Sequence, residues 1–246
     1  MPVHTFTATV KGEDRYLNTH LSQGGTLIVV ADGHGGSSCA SAALASIENA
    51  LHTDNAREQL SEAGEAGAAG EAWQSTATRL LRDAIARAAY DTESESSGAV
   101  LTAILVSPGA DLLAWGQLGD TVAMWRDENG DTQRTPDHNC RSNAAEREAA
   151  EKRGGLYVGG YVMAPGGFGG LQPTRSLGDR HMGPVASKEP ELGSSPLGGA
   201  VLVSSDGLIT GAQSSAESDD AVVQQVLEKV EAGEDLEAAI GALFPF

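Results

Sequence analysis

Cysteine is almost missing from this sequence: Cys39 and Cys140 are the only two in 246 residues, and they form no CxxC pair. Nothing requires a disulfide, and idle or buried thiols in a reducing compartment are expected. Positive charge is scarce too, with 16 Lys and Arg against 34 Asp and Glu and a formal net charge of −18. So acidic a chain repels nucleic-acid phosphates and anionic lipids, which argues against a nucleic-acid or membrane partner. No run approaches the roughly 20 apolar residues that a membrane-spanning helix needs. The N-terminus lacks the basic-then-apolar order of a signal peptide. No HExxH spacing exists, so His138 and His181 read as structural. A soluble cytoplasmic protein is expected, with the nucleus open to it as well, and a monomer.

What is present fits one large globular domain, residues 1–246, with a sizeable core. His4 to Val10 alternates as a half-buried strand does, and Thr26 to Ala31 reads as a buried one. That second run enters Asp32-Gly33-His34-Gly35-Gly36, a tight turn with three glycines in five positions. Ser37 and Ser38 offer N-caps for an Ala-rich helix to about Leu51. Residues 61–71 predict a surface loop or frayed helix, and Trp73–Tyr90 a helix with Leu80, Leu81, Ala84, Ile85 and Ala88 on one face. Strands are expected at Val100–Ser107, Leu112–Gln117, Thr121–Arg126 and Ala200–Ser204, with helices at Ala144–Lys152, Asp219–Ala232 and Leu236–Leu243. Gly154–Gly170, with eight glycines, predicts a mobile surface flap.

Three aspartates share one context. Asp32 and Asp206 directly end apolar strands, Asp120 follows another, and each sits beside a glycine. Asp-Gly is a common turn dipeptide, so each alone says little. Together, carboxylates at strand ends beside glycine suit a hard-cation site of oxygen ligands, with the Gly33 carbonyl as a further ligand. His34, fixed in the same turn, could give a proton to a leaving group.

These residues resemble the type 2C metal-dependent protein serine/threonine phosphatases, in order along nearly the whole chain. Gly12-Glu13-Asp14-Arg15 is similar to the early Glu-Asp motif, and Asp32-Gly33-His34-Gly35-Gly36 to the DGHGG signature. Ser97-Gly98 resembles the start of SGSTA, Gly119-Asp120-Thr121 resembles GDSR, and Thr135-Pro136-Asp137-His138 resembles TxDH. Thr174-Arg175-Ser176-Leu177-Gly178-Asp179 is similar to SRALGD and Ser204-Ser205-Asp206-Gly207-Leu208 to ASDGL.

The resemblance implies an α+β fold, a central antiparallel β-sandwich flanked by helices on both outer faces (four layers, α-β-β-α). It implies two Mg²⁺ or Mn²⁺ ions and a weakly held third. Asp32 would bridge two of them, Gly33 and Asp206 would each bind one, Asp120 would help hold the third, and Glu13 and Asp14 would act through waters. The implied reaction is hydrolysis of phosphoserine or phosphothreonine in a phosphoprotein by a metal-activated water, with His34 as proton donor. The sequence also departs from the family pattern. Thr9 stands where a phosphate-binding arginine is usual, leaving Lys11 or Arg15 to contact substrate. Val122 replaces the GDSR arginine, and Ala99 and Val100 replace two hydroxyl residues. No closing Asp-Asn motif is present, so the family's last strands and one ligand are expected to be missing, with Asp219-Asp220 and Asp235 the only late candidates. The alternative is a pseudophosphatase, a protein-binding module with weakened metal binding.

Overall fold

The computed structural model describes residues 12–21, 25–65, 69–167, 169–210 and 219–241. Strands β1 (Arg15–His20) and β2 (Thr26–His34) lead to helices α1 (Ser38–Leu51), α2 (Asp54–Glu65) and α3 (Ala69–Asp91). Strands β3 (Gly98–Val106), β4 (Leu112–Leu118), β5 (Val122–Arg126) and β6 (Thr132–Arg134) follow, then α4 (Ala144–Lys152) and the short strands β7 (Leu156–Val158), β8 (Tyr161–Met163) and β9 (Leu177–Gly178). A 3-10 segment (Arg180–Val185), β10 (Glu191–Pro196), β11 (Val201–Ser204) and helices α5 (Gly207–Thr210), α6 (Asp219–Glu231) and α7 (Leu236–Gly241) complete the described chain.

The fold is a mixed α+β arrangement of antiparallel sheets and helices. Six strands form one sheet in the order β1-β2-β3-β4-β10, with β9 on the end of β3; β11-β5-β6 form a second, and β7-β8 pair alone. The nine-residue β3 is buried along its whole length, as its apolar sequence requires of a central strand. Strand β2 alternates instead. Its Leu27, Val29 and Ala31 join Ala43 and Ile47 of α1 and Leu81 and Ile85 of α3 in the largest apolar cluster, each large aliphatic side chain contributing about 2 kcal/mol on burial. On the other face of β2, Ile28 packs against a cluster that spans both larger sheets, with Ile104 and Leu113 from the first and Ala123 and Trp125 from the second. On the far side of the second sheet, Val122 and Met124 of β5 meet Val223 and Leu227 of α6.

Four sequence expectations change. Residues 61–71 largely fall within α2 and α3, where Ala56 and Leu60 give α2 a narrow apolar stripe against the larger core. The Gly154–Gly170 segment contains the hairpin β7-β8, turned at Gly159-Gly160, and buries Val162 among Cys140, Ala150, Met182 and Val185. Ser37 stands at the N-cap of α1 without a capping bond. Ser38 turns its hydroxyl outward to Glu95 (2.7 Å) and Ser97 (2.8 Å). Strands β1, β6, β9 and β10 are additional to those expected, and the strand expected at His4–Val10 lies outside the described residues. Both cysteines are free and buried.

Candidate metal and catalytic site

Alternation along β2 puts Asp32 on the same face as Ile28, the face turned to the second sheet, close to the strand's end. Asp120 follows β4 and leads into β5, and Asp206 follows β11. The three carboxylates therefore come from strand ends of both sheets, as expected from their positions after apolar runs. Glu13 and Asp14 lie immediately before β1, which pairs with β2 so that Arg15 stands opposite Ala31.

Close backbone approach fixes the first loop. A Cβ on Gly33 would lie 2.5 Å from the Glu13 carbonyl oxygen, so only glycine lets the Glu13 backbone cross the strand there. The Gly36 amide donates to the Glu13 carboxylate at 2.7 Å. Arg15 donates through one Nη to the carbonyls of Gly12 (2.9 Å) and Asp14 (2.7 Å), and through Nε to the Ser41 hydroxyl (3.0 Å). In this structure its guanidinium thus braces the Glu13-Asp14 loop. Lys11 and Thr9 lie outside the described residues.

The electrostatics record a concentration of negative charge. Burial, followed by the charges of Asp14 and Asp206, a hydrogen bond shared with Asp206 and the charge of Asp120, pushes the Asp32 carboxyl up to about 8. Asp120 is pushed up to about 6 by burial first and by Asp206 and Asp137, against the opposing hydrogen bond from the Asn139 amide (2.8 Å). Among the described residues, no three His, Cys, Asp or Glu side chains close on one point at ligand distance. Asp32 and Asp206 come within hydrogen-bonding reach, while Asp14 and Asp120 act on Asp32 through their charges. Their donor set is all hard oxygen, and the charge they accumulate is what a divalent cation would offset, so the residues present fit Mg²⁺ or Mn²⁺.

His34 ends β2 beside this cluster. Its Nε2 lies 2.8 Å and 3.0 Å from the two carboxylate oxygens of Asp179. Burial raises the Asp179 carboxyl, but hydrogen bonds from His34 and Ser176 and the charges of His34 and Lys188 outweigh that and hold it below the usual carboxylate range. Sequence reading assigned no role to Asp179 or Asn139. The glycine-aspartate pair Gly178-Asp179, which repeats Gly119-Asp120, is the signal that could have found the first.

The remaining candidates separate cleanly. His138 is fully buried and structural: its Nδ1 accepts from the Gly119 amide (3.1 Å), and its Nε2 faces Glu191 (3.2 Å). His181 is exposed in the 3-10 segment. Val122 is buried against α6 and Ala99 in the main core, so neither position opens toward the carboxylates. Asp235 accepts from the Glu237 (2.9 Å) and Ala238 (3.3 Å) amides, which makes it a helix cap for α7. Asp219 and Asp220 open α6.

The fold is thus a two-sheet α+β arrangement with aspartates at strand ends of both sheets and a histidine at the end of β2. The model of the protein phosphatase 2C family matches residues 13–243, and the chain belongs to that family, whose members are Mg²⁺- or Mn²⁺-dependent protein phosphatases. A search of the curated proteins found no match. Among solved structures, the chain is similar to serine-threonine phosphatase 2C from Toxoplasma gondii, with a TM-score of 0.72 and 16% identity over 94% of this chain and 83% of that one. It is also similar to a C. elegans sex determining protein, with a TM-score of 0.67 and 23% identity over 95% of this chain and 58% of that one. At these identities the two structures speak for the fold.

Proposed function

We propose that this chain hydrolyses phosphoserine and phosphothreonine in proteins, as a single domain whose two larger sheets stack as a sandwich with helices on both outer faces. The observation that carries the reading is the mutual action of Asp32, Asp14, Asp206 and Asp120 at strand ends, with His34 next in chain to Gly33. Asp32 and the Gly33 carbonyl would hold metal on one side, Asp206 on the other, and Asp120 a weaker ion. Glu13 and Asp14 would act through waters. Bound Mg²⁺ or Mn²⁺ supplies water activation and offsets charge on the phosphoryl oxygens. Water oxygen bonds to phosphorus as the serine or threonine oxygen leaves, and His34 gives that oxygen its proton. The acidic surface and the two free, buried thiols support a cytoplasmic setting. No helix among the described residues is long and apolar enough to cross a membrane.

With Mn²⁺ at millimolar concentration, the purified chain is expected to release phosphate from a phosphoserine peptide and from p-nitrophenyl phosphate. Asp32→Ala and Asp206→Ala are expected to lose roughly a thousandfold, the several kcal/mol of charge stabilisation that metal ions provide. A wild-type chain that releases no phosphate under these conditions refutes the proposal. One observation favours a protein-binding module instead, namely that no three described ligand side chains converge. Calorimetric titration with Mn²⁺ separates the two, because two sites of micromolar to millimolar affinity are expected of the phosphatase.

A further inference from the structure

The contact between His34 and Asp179 depends on an unusual local arrangement. His34 stands opposite Gly98 at the start of β3, and Gly98 stands opposite Gly178 of β9 on its other side. Asp179 follows in a left-handed backbone conformation (φ 49°, ψ 44°), which costs a non-glycine residue free energy and which aspartate adopts more readily than most. Its amide donates to the Ser97 carbonyl at 3.1 Å. That turn brings the carboxylate back over Gly98, where His34 meets both oxygens and the Ser176 hydroxyl donates to Oδ2 at 2.6 Å. Lys188 steadies the same turn by donating to the Gly178 carbonyl at 2.6 Å.

Position 98 is the gap that makes the pair possible. A Cβ there would overlap both the Asp179 carboxylate and His34 Nε2. Asp179 is 2% exposed, whereas the His34 side chain is 33% exposed. The ring is therefore anchored on its buried side, and its Nδ1 has no hydrogen-bond partner among the described residues.

We propose that Asp179, acting through the gap at Gly98, is the positioning residue that fixes the orientation and tautomer of His34. The carboxylate holds the proton on Nε2 and leaves Nδ1 as the nitrogen that exchanges a proton with the reacting group. This rests on the phosphatase reading above. In the step, the water oxygen bonds to phosphorus and gives up a proton to solvent while the P–O bond to the serine oxygen breaks; Nδ1–H of the doubly protonated ring passes its proton to that oxygen, and the ring is left neutral with Nε2–H still bonded to Asp179. The same division of labour holds wherever a carboxylate orients a catalytic imidazole.

Two measurements test the proposal. In the metal-free wild-type protein, long-range ¹H–¹⁵N spectra are expected to show the neutral His34 ring protonated on Nε2. In Gly98→Ala and Asp179→Asn the ring is expected to show mixed tautomers. A wild-type ring protonated on Nδ1 overturns the proposal without touching the phosphatase reading. With Mn²⁺ bound, Asp179→Asn is expected to lower the ratio of kcat on a phosphoserine peptide to kcat on p-nitrophenyl phosphate by about a hundredfold, the scale of general-acid catalysis. The serine alkoxide needs a proton to leave, whereas p-nitrophenolate departs without one. His34→Gln is expected to lower that ratio similarly, and the double variant no further. Equal losses on both substrates make Asp179 merely structural and overturn its positioning role alone. A wild-type chain inactive on both substrates overturns the phosphatase reading and this role together.

Discussion

Two groups of charged side chains flank Gly119 and settle their electrostatics in opposite ways. On one side, Asp120 joins Asp32, Asp14 and Asp206, and burial with like charge pushes Asp32 up to about 8. On the other, the Gly119 amide donates to His138, which belongs with Glu146, Arg175 and Glu191. There Arg175 reaches Glu146 through Nη2 (2.6 Å) and Nε (3.1 Å), and the Thr174 hydroxyl donates at 2.6 Å. Burial raises Glu146, but those hydrogen bonds and the charges of Arg175 and His138 outweigh it and hold the carboxyl at about 2. Both groups bury carboxylates. In one an arginine of the chain supplies the cation, and in the other the carboxylates raise one another. A buried carboxylate is a candidate binding group where like charges, rather than an internal ion pair, surround it.

The comparison breaks most visibly at Arg175. Arg175→Ala leaves Glu146 buried without its partner and is expected to cost about 3–5 kcal/mol in urea unfolding. The paired change Glu146→Gln with Arg175→Met is expected to cost much less, because no charge is stranded.

The pH dependence separates the two groups by sign. Asp32, raised to about 8, keeps a proton in the folded protein that the unfolded chain releases near 3.8. Metal-free stability is therefore expected to fall as pH rises from about 4 toward 8, by at most about 1.4 kcal/mol per unit. Asp32→Asn or millimolar Mn²⁺ is expected to flatten that slope in thermal melts. Glu146 does the reverse: its stabilisation is present above about 4.5 and is lost as pH falls through about 2.

The smallest effect concerns the helix that presents Glu146. The Asn143 side chain caps α4 by accepting from the Ala145 (3.1 Å) and Glu146 (3.2 Å) amides. Asn143→Ala is expected to lower stability by about 1 kcal/mol, with phosphatase turnover retained.

Much of this organisation is legible before any coordinates. The helix α4 spans Ala144–Lys152 as expected, because a capping asparagine before it and Gly154 after it fix both ends. The strand-end aspartates are legible because an apolar run that stops at Asp-Gly states both where a strand ends and what sits there. The hairpin β7-β8 is not, since strands of three residues show too few alternations against eight surrounding glycines. Nor is β10, whose Glu-Leu-Gly-Ser-Ser-Pro sequence has little β propensity and is held by pairing with β4. The partnership of His34 with Asp179 was beyond reach for another reason. It joins residues 145 positions apart through the space left at Gly98, and no local pattern encodes a space.

Strand β10 has one further consequence. It pairs only with β4, so among the described residues it forms one border of the largest sheet, opposite β1. A bare border of amides and carbonyls invites a second chain to add its own strand and begin a fibre. Here that border is six residues long, starts at the half-exposed Glu191 and ends at Pro196, which has no amide hydrogen to offer. Poor strand-forming residues at this margin make this edge of the sheet a weak template for self-assembly, a safeguard against aggregation written into a segment of irregular sequence.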